Sequence, residues 1–320
     1  MFWDFHGVTV LGNSTSPALR ERWAQSFAAL PPGDGAPDIV CQLEIVDMVP
    51  TAPSGPAQFR QGDLLSYHLD GSRAIAHFPR FGQLVLDLAR GETEGRIVVA
   101  GLHDAAAFED LLAIALSPHL RRNGLFLLHA FAAVNSSRPS HELAFVPGRG
   151  AGRAILLVGE IGAGKTTTGM ALLDSGWGLL SNDSPIVSAS AEVLSYPGLL
   201  AAYPDTLTRF ESTSHLAANA SNSKVIFAPE QIWPQAWMER APAGAICFPQ
   251  IEDRDKHLIE SLSTAATLRH ILPHAVEQWD REMMAEHLRV LRELVEAAPS
   301  YRLRLGPDVL SLPEQLAQLL

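Results

Sequence analysis

The sequence predicts an α/β fold, with a P-loop nucleotide-binding domain over residues 117–320 and a small α+β domain over residues 1–116 before it. Three observations carry this prediction. Residues 159–166 read Gly-Glu-Ile-Gly-Ala-Gly-Lys-Thr, a complete G-x-x-x-x-G-K-[ST] pattern. A short apolar run at 155–158 precedes it, and a stretch at 166–175 with helix-compatible spacing follows, with Gly176 placed to stop the helix. The chain before residue 117 has a different texture, with consecutive strand-like runs, two of them joined at Asp70-Gly71, a strong hairpin signal.

In order along the chain, 8–11 and 39–46 read as strands and 16–30 as a helix, with a Pro/Gly turn region at 31–37. Residues 64–69, 72–78 and 83–88 read as consecutive strands, and the apolar run 97–100 as another. A helix over 105–120 leads into a strand over 126–134, FLLHAFAAV. Residues 135–153, rich in Ser, Pro, Gly and Arg, read as a turn or loop. Beyond the P-loop helix, strands at 178–180 and 186–187 flank Ser181-Asn182-Asp183-Ser184. Later strands fall at 225–227, 245–248 and 301–305. Helices fall at 264–272, 280–298 and 312–320, with Pro273 between the first two. Strands around a P-loop with packed helices define the α/β class.

Composition narrows the function. A chain of 320 residues with 47% hydrophobic content has room for a sizeable core in one or two domains. The net charge of −11, with no basic block beyond the pair Arg121-Arg122, argues against a nucleic-acid binder. Cys41 and Cys247 lie far apart in apolar surroundings without metal-ligand spacing, as expected of buried thiols in a reducing compartment. The N-terminal residues lack the basic and apolar regions of a signal peptide. No uninterrupted apolar run is long enough for a transmembrane helix, so a cytoplasmic protein away from membranes is expected.

The P-loop pattern has a definite chemistry. Gly159, Gly162 and Gly164, with Ala163 between the last two, let the backbone wrap closely around anionic oxygens. The amides of the following helix, through Lys165, Thr166 and Thr167, add the positive end of the helix dipole. Lys165 supplies a cation for the β- and γ-phosphates and Thr166 a hydroxyl for Mg²⁺.

The region 125–310 resembles the C-terminal kinase domain of HPr kinase/phosphorylase, and more closely the HPr-kinase-like proteins of bacterial gene clusters, including kinases of lasso-peptide precursors. Four features carry the resemblance: the His-containing strand at 127–134, the P-loop at 159–166, the strand-and-turn Gly-Leu-Leu-Ser-Asn-Asp at 178–183, and the tail Tyr-Arg-Leu-Arg-Leu-Gly-Pro-Asp at 301–308. It implies a fold related to phosphoenolpyruvate carboxykinase and Mg²⁺-dependent transfer of the γ-phosphate of ATP, or of GTP, to a serine hydroxyl. It also implies a homo-oligomer. The acidic pair of the family is Asn182-Asp183 here, and the loop by which true HPr kinases recognise HPr is not evident, so HPr is not the expected acceptor.

Phosphoryl transfer needs positioning, charge neutralisation and one group to orient or deprotonate the acceptor. Asp183, at the end of the predicted strand after the P-loop helix, is the candidate base and a candidate metal ligand with Thr166; its competing role is a turn aspartate. Through the resemblance, His129 lies near Asp183 and tunes its basicity; its competing role is a core histidine. Asn182 is a phosphate or metal-water contact, or an ordinary turn residue. Lys224 and Arg209 are candidate charge neutralisers, and Asp205 and Glu211 weaker metal candidates. His270 and His274 have an i, i+4 spacing, but with Pro273 between them ordinary surface histidines are the better reading. Trp177, Trp233 and Trp237 read as packing residues. The expected function is an ATP- and Mg²⁺-dependent kinase acting on Ser of a peptide or protein. The alternatives are a kinase of a small-molecule alcohol and a nucleotide-binding regulator without transfer activity.

Overall fold

The computed structural model describes residues 1–136, 152–218, 223–275 and 277–320. The chain forms two compact units, Met1–Leu125 with Glu277–Met284, and Phe126–Val276 with Ala285–Leu320. Both mix helices and sheet, consistent with the α/β class that the sequence predicts for the chain. Among the described residues no helix is long and apolar enough to cross a membrane.

The first unit contains β1 (Phe2–Phe5), β2 (Val8–Asn13), α1 (Pro17–Ser26), β3 (Ile39–Ile45), β4 (Phe59–Gln61), β5 (Leu65–Asp70), β6 (Arg73–Phe78), β7 (Gly82–Asp87), β8 (Glu92–Ile97), α2 (Val99–His103) and α3 (Ala105–Arg122). Its eight-stranded sheet runs β1-β2-β3-β8-β7-β6-β5-β4, parallel only at β2/β3 and β3/β8. The Asp70-Gly71 signal is realised as a two-residue turn: Asp70 pairs with Arg73, and Gly71 takes a left-handed φ of 60°. Ser16 caps α1 through Leu19 N–H, and Asp104 caps α3 through Ala107 N–H. Thr93 on β8 donates to the carbonyl of Ala115, joining strand to helix.

Two local expectations fail in this unit. The run 97–100 is not a strand: β8 ends at Ile97 and a short helix begins at Val99. The strand is the more polar stretch before it, where Thr93, Gly95 and Ile97 alternate inward, and alternation rather than continuous hydrophobicity marks a half-buried strand. Helix α3 packs against β3 and β8. The helix expected at 280–298 begins only at Met284, because 277–284 is folded against the first unit. There Asp280 takes bonds from Arg121 and both terminal nitrogens of Arg122, Glu277 pairs with Arg121, and Trp279 stacks on Tyr67 with ring centroids 4.6 Å apart.

The second unit contains β9 (Leu125–Leu127), β10 (Ala130–Ser136), β11 (Gly152–Val158), α4 (Lys165–Asp174), β12 (Gly178–Ser181), β13 (Ile186–Ser188), β14 (Glu192–Leu194), β15 (Leu200–Ala202), α5 (Pro204–Leu207), α6 (Ser214–Ala217), β16 (Val225–Phe227), β17 (Arg240–Ile251), β18 (Leu258–Leu262), α7 (Thr264–Ile271), α8 (Met284–Ala297), β19 (Ser300–Leu305) and α9 (Leu312–Ala317). Its main sheet runs β12-β10-β11-β17-β14-β13-β9, with β19 on β17 and β18 on β19. Strand β10 is antiparallel to both β11 and β12, whereas β17 is parallel to β11 and β19 to β17. Thus β11, β12, β17 and β19 point one way, with β10 reversed among them. The strands β10, β11 and β17 supply a fully buried centre that includes Phe131, Val134, Leu157 and Ile246.

The strand expected over 126–134 is interrupted at Leu128-His129. Three successive amides there leave the regular ladder: Leu128 donates to Pro185 O, His129 to His274 O and Ala130 to Asp183 O. Of the loop expected over 135–153, residues 137–151 lie outside the described residues. Its ends are strand: Asn135 pairs with Arg153 and Ser136 with Gly152.

Candidate functional site

The reversal of β10 explains how the site assembles. Because it runs opposite to β11 and β12, its first residues lie beside their last ones: Ala130 pairs with Val158, and Ala132 with Ser181. His129, immediately before β10, therefore meets the loop that leaves β11 and the turn that leaves β12. This is the carboxyl edge of the parallel strands, where open α/β sheets place ligands.

The P-loop pattern lies between β11 and α4, in the strand–loop–helix context its chemistry requires. Gly162 and Gly164 have φ of 84° and 98°, a conformation that disfavours L side chains. At Gly164 a Cβ would also lie 2.9 Å from Leu305 Cδ1. Gly159 is confined differently: its Cβ would stand 3.3 Å from that of Ala163. The first-turn amides of α4, at Lys165, Thr166 and Thr167, have no carbonyl one turn earlier to receive them. They form the start of an anion nest.

Lys165 is 8% exposed, and its ammonium is folded back onto the loop. It donates to Gly159 O at 2.5 Å and Glu160 O at 3.2 Å, and stands 3.2 Å from His129 Nε2. An ammonium has no lone pair, so Nε2 is the acceptor and the ring proton resides on Nδ1. That nitrogen faces Asp183 Oδ2 at 3.3 Å. Lys165, His129 and Asp183 thus form one continuous polar chain from the loop to the end of β12. Burial holds the Lys165 amine below its ordinary value, Asp183 and Glu160 draw it back up, and Lys224 opposes them.

The remaining candidates divide clearly. Asn182 donates from Nδ2 to Leu199 O at 3.1 Å, the position of a structural turn residue. Ser181 Oγ accepts from the amides of Asp183 and Ser184, which holds the turn that presents Asp183. Thr167 meets the hydroxyl of Thr206 at 3.2 Å, tying α4 to α5. Lys224 is exposed, with its ammonium 5.5 Å from the ring centre of Tyr203. Arg209, Asp205 and Glu211 are exposed, and none of them joins the Lys165–His129–Asp183 chain. Trp177 and Trp237 are buried and Trp233 packs on Phe227, in keeping with packing roles. Cys41 and Cys247 are fully buried free thiols.

The site also contains a residue assigned otherwise from sequence. His274 is not a surface histidine: its side chain is 11% exposed and stacks on His129, with ring centroids 6.2 Å apart and planes at 27°. Its Nε2 lies 3.9 Å from Glu160 Oε1 on the P-loop. Burial, with His129, Lys165 and His270 nearby, keeps it less basic than an ordinary histidine, against the pull of Glu160. The i, i+4 metal pair with His270 does not form, because α7 ends at Ile271 and Leu272–His274 is a 3-10 turn. His270 instead lies 5.3 Å from the ring of Phe248. The i, i+4 spacing with His270 gives no sign that His274 meets His129, which lies 145 positions earlier in the chain.

Among the described residues no group of three or more His, Cys, Asp or Glu could hold a metal ion. Thr166 and Asp183 offer a hydroxyl and a single carboxylate. A hydroxyl and one carboxylate suit Mg²⁺, which keeps waters and takes oxygens from a phosphate ligand. No protein-family model matches this chain, and no curated protein is significantly similar to it.

Proposed function

We propose that this chain is a P-loop kinase of the HPr-kinase-like kind, transferring the γ-phosphate of ATP to a hydroxyl, with Ser of a peptide or protein as acceptor. One observation supports this above the rest: the unbroken contact from the phosphate-loop lysine through His129 to the carboxylate of Asp183. Binding and acid–base functions are thereby adjacent.

In this reading the loop amides and Lys165 hold the phosphates, while Thr166 and Asp183 would hold Mg²⁺, which would supply neutralising charge to the phosphate oxygens. Asp183 accepts the acceptor hydroxyl proton as the new oxygen–phosphorus bond forms and the bond to the leaving diphosphate oxygen breaks. The His129 Nδ1 proton, directed at Oδ2, keeps that carboxylate oriented. Lys165 exchanges its bonds to Gly159 O and Glu160 O for phosphate oxygens.

The regulator reading draws on the placement of Asn182, whose amide is committed to Leu199 O, leaving Asp183 as the carboxylate of the 182–183 pair. One experiment separates the readings. Wild type, Lys165→Ala and Asp183→Ala are each given ATP labelled at the γ-phosphate, Mg²⁺, and a panel of Ser peptides and small alcohols. Label on an acceptor, lost in both variants, supports the kinase. Tight nucleotide binding with no labelled acceptor favours the regulator.

A further inference from the structure

His274 stands where it can govern the ring at the centre of the site. Pro273 has no amide to continue α7, so the chain turns out of the helix at Ile271 and Leu272–His274 becomes a 3-10 turn. That turn presents His274 twice to one neighbour. Its carbonyl accepts the His129 amide at 2.8 Å, and its ring lies against the His129 ring. On its other side, Nε2 faces Glu160, the residue that begins the variable part of the P-loop. The flanking amides of Leu128 and Ala130 are held by Pro185 and Asp183. The backbone of His129 is thus fixed from two directions, while its half-exposed ring is braced by His274, Lys165 and Asp183.

We propose that His274 is a positioning residue of this site: its ring holds the His129 ring in the plane that aims Nδ1 at Asp183 and Nε2 at Lys165, and its contact with Glu160 sets the P-loop against that pair. It touches no reacting atom in this role. A misplacement of about 1 Å in such a relay can lower turnover about 100-fold, so the ring of a neighbour matters without chemistry of its own. Stacking, rather than charge, is what the role requires, so an aromatic replacement should serve. The kinetic part of the proposal rests on the kinase reading; the geometric part does not.

The test uses the full chain with His274→Ala, His274→Phe and Glu160→Gln. The first readout is the ¹⁵N spectrum of the His129 ring without nucleotide, assigned with His129→Gln. Wild type should show a single tautomer with the proton on Nδ1. His274→Ala should show a mixture, and His274→Phe should return it to one form. The second readout is turnover. His274→Ala should lower kcat about tenfold with the KM for ATP changed less than threefold, and His274→Phe should recover most of the loss. Glu160→Gln should leave the His129 tautomer alone and shift mainly the KM for ATP. If wild type transfers no phosphate, the kinase reading fails while the tautomer still decides the geometric part. A His129 spectrum unchanged in His274→Ala overturns the proposal. So does a mixture that persists in a folded His274→Phe.

Discussion

The ammonium of Lys165 and Nε2 of His129 stand 3.2 Å apart, in a chain where the two are separated by 36 positions. The lysine that the P-loop pattern reserves for phosphate is a donor to a histidine and to two carbonyls of its own loop. Under the proposed function a phosphate would have to replace these bonds, so Lys165 would work by exchange rather than by reaching into empty solvent.

Removing that donor should weaken nucleotide binding directly. Lys165→Met is expected to lower ATP affinity about 10- to 100-fold, the range for a lost hydrogen bond to a charged group. Titration calorimetry checks this, and equal affinities in the two proteins would contradict the assignment.

Asp183 should separate binding from turnover. Asp183→Asn retains the shape of the turn that Ser181 holds but loses the carboxylate proposed as base. It is expected to keep ATP affinity within a few-fold while lowering kcat about 100- to 10,000-fold. Parallel binding and transfer assays on the same preparation read both numbers.

Gly169 on α4 makes a prediction about packing. A Cβ there would lie 2.4 Å from the Phe131 ring, which is fully buried. Alanine normally favours a helix interior by about 1 kcal/mol over glycine. Here overpacking, typically about 1–3 kcal/mol, should prevail. Gly169→Ala should therefore lower the urea midpoint, and Phe131→Leu should partly restore it in the double variant.

Asp280 is the shared acceptor of Arg121 and Arg122, and Arg121 and Asp280 are both 3% exposed at their side chains. Removing one partner of a buried ion pair commonly costs about 3–5 kcal/mol. Asp280→Ala should lose stability in that range in chemical denaturation. The exposed partner of Arg122, Glu282, should be replaceable with little effect.

Acid should destabilise the first unit through His119. Burial, reinforced by Arg122 and Arg121, pushes its imidazole down to about 4, while an unfolded histidine sits near 6.5. Between these values the unfolded chain binds the extra proton, so stability is complete above about pH 6.5 and falls as the pH drops toward 4. The linked loss is on the order of 3 kcal/mol. Denaturation at a series of pH values should show this limb, and His119→Gln should flatten it.

What the sequence discloses about such a fold depends on how local the cause is. The P-loop is legible because Gly162, Gly164 and Lys165 carry their conformational and chemical meaning within eight positions, and the Gly71 turn is legible for the same reason. Strand β8 is obscured because its inward residues, Thr93 and Gly95, are not the usual hydrophobic markers. The break at Leu128-His129 is hidden in a run of apolar letters, since its cause lies in acceptors at Asp183, Pro185 and His274. His274 enters the site through a tertiary turn alone. Asp280 resembles a helix-start residue by pattern, but two arginines more than 150 positions earlier decide its place.

The reversed strand has one more consequence, for how this chain can change over time. Seven consecutive pairs, from Ala130↔Val158 to Ser136↔Gly152, fix β10 against β11 and so fix His129 against the loop that follows Val158. An insertion or deletion inside 130–136 or 152–158 would slip that register by one residue and turn the side chains of the strand to the opposite face. Inheritance can therefore alter these two strands by substitution but not by length.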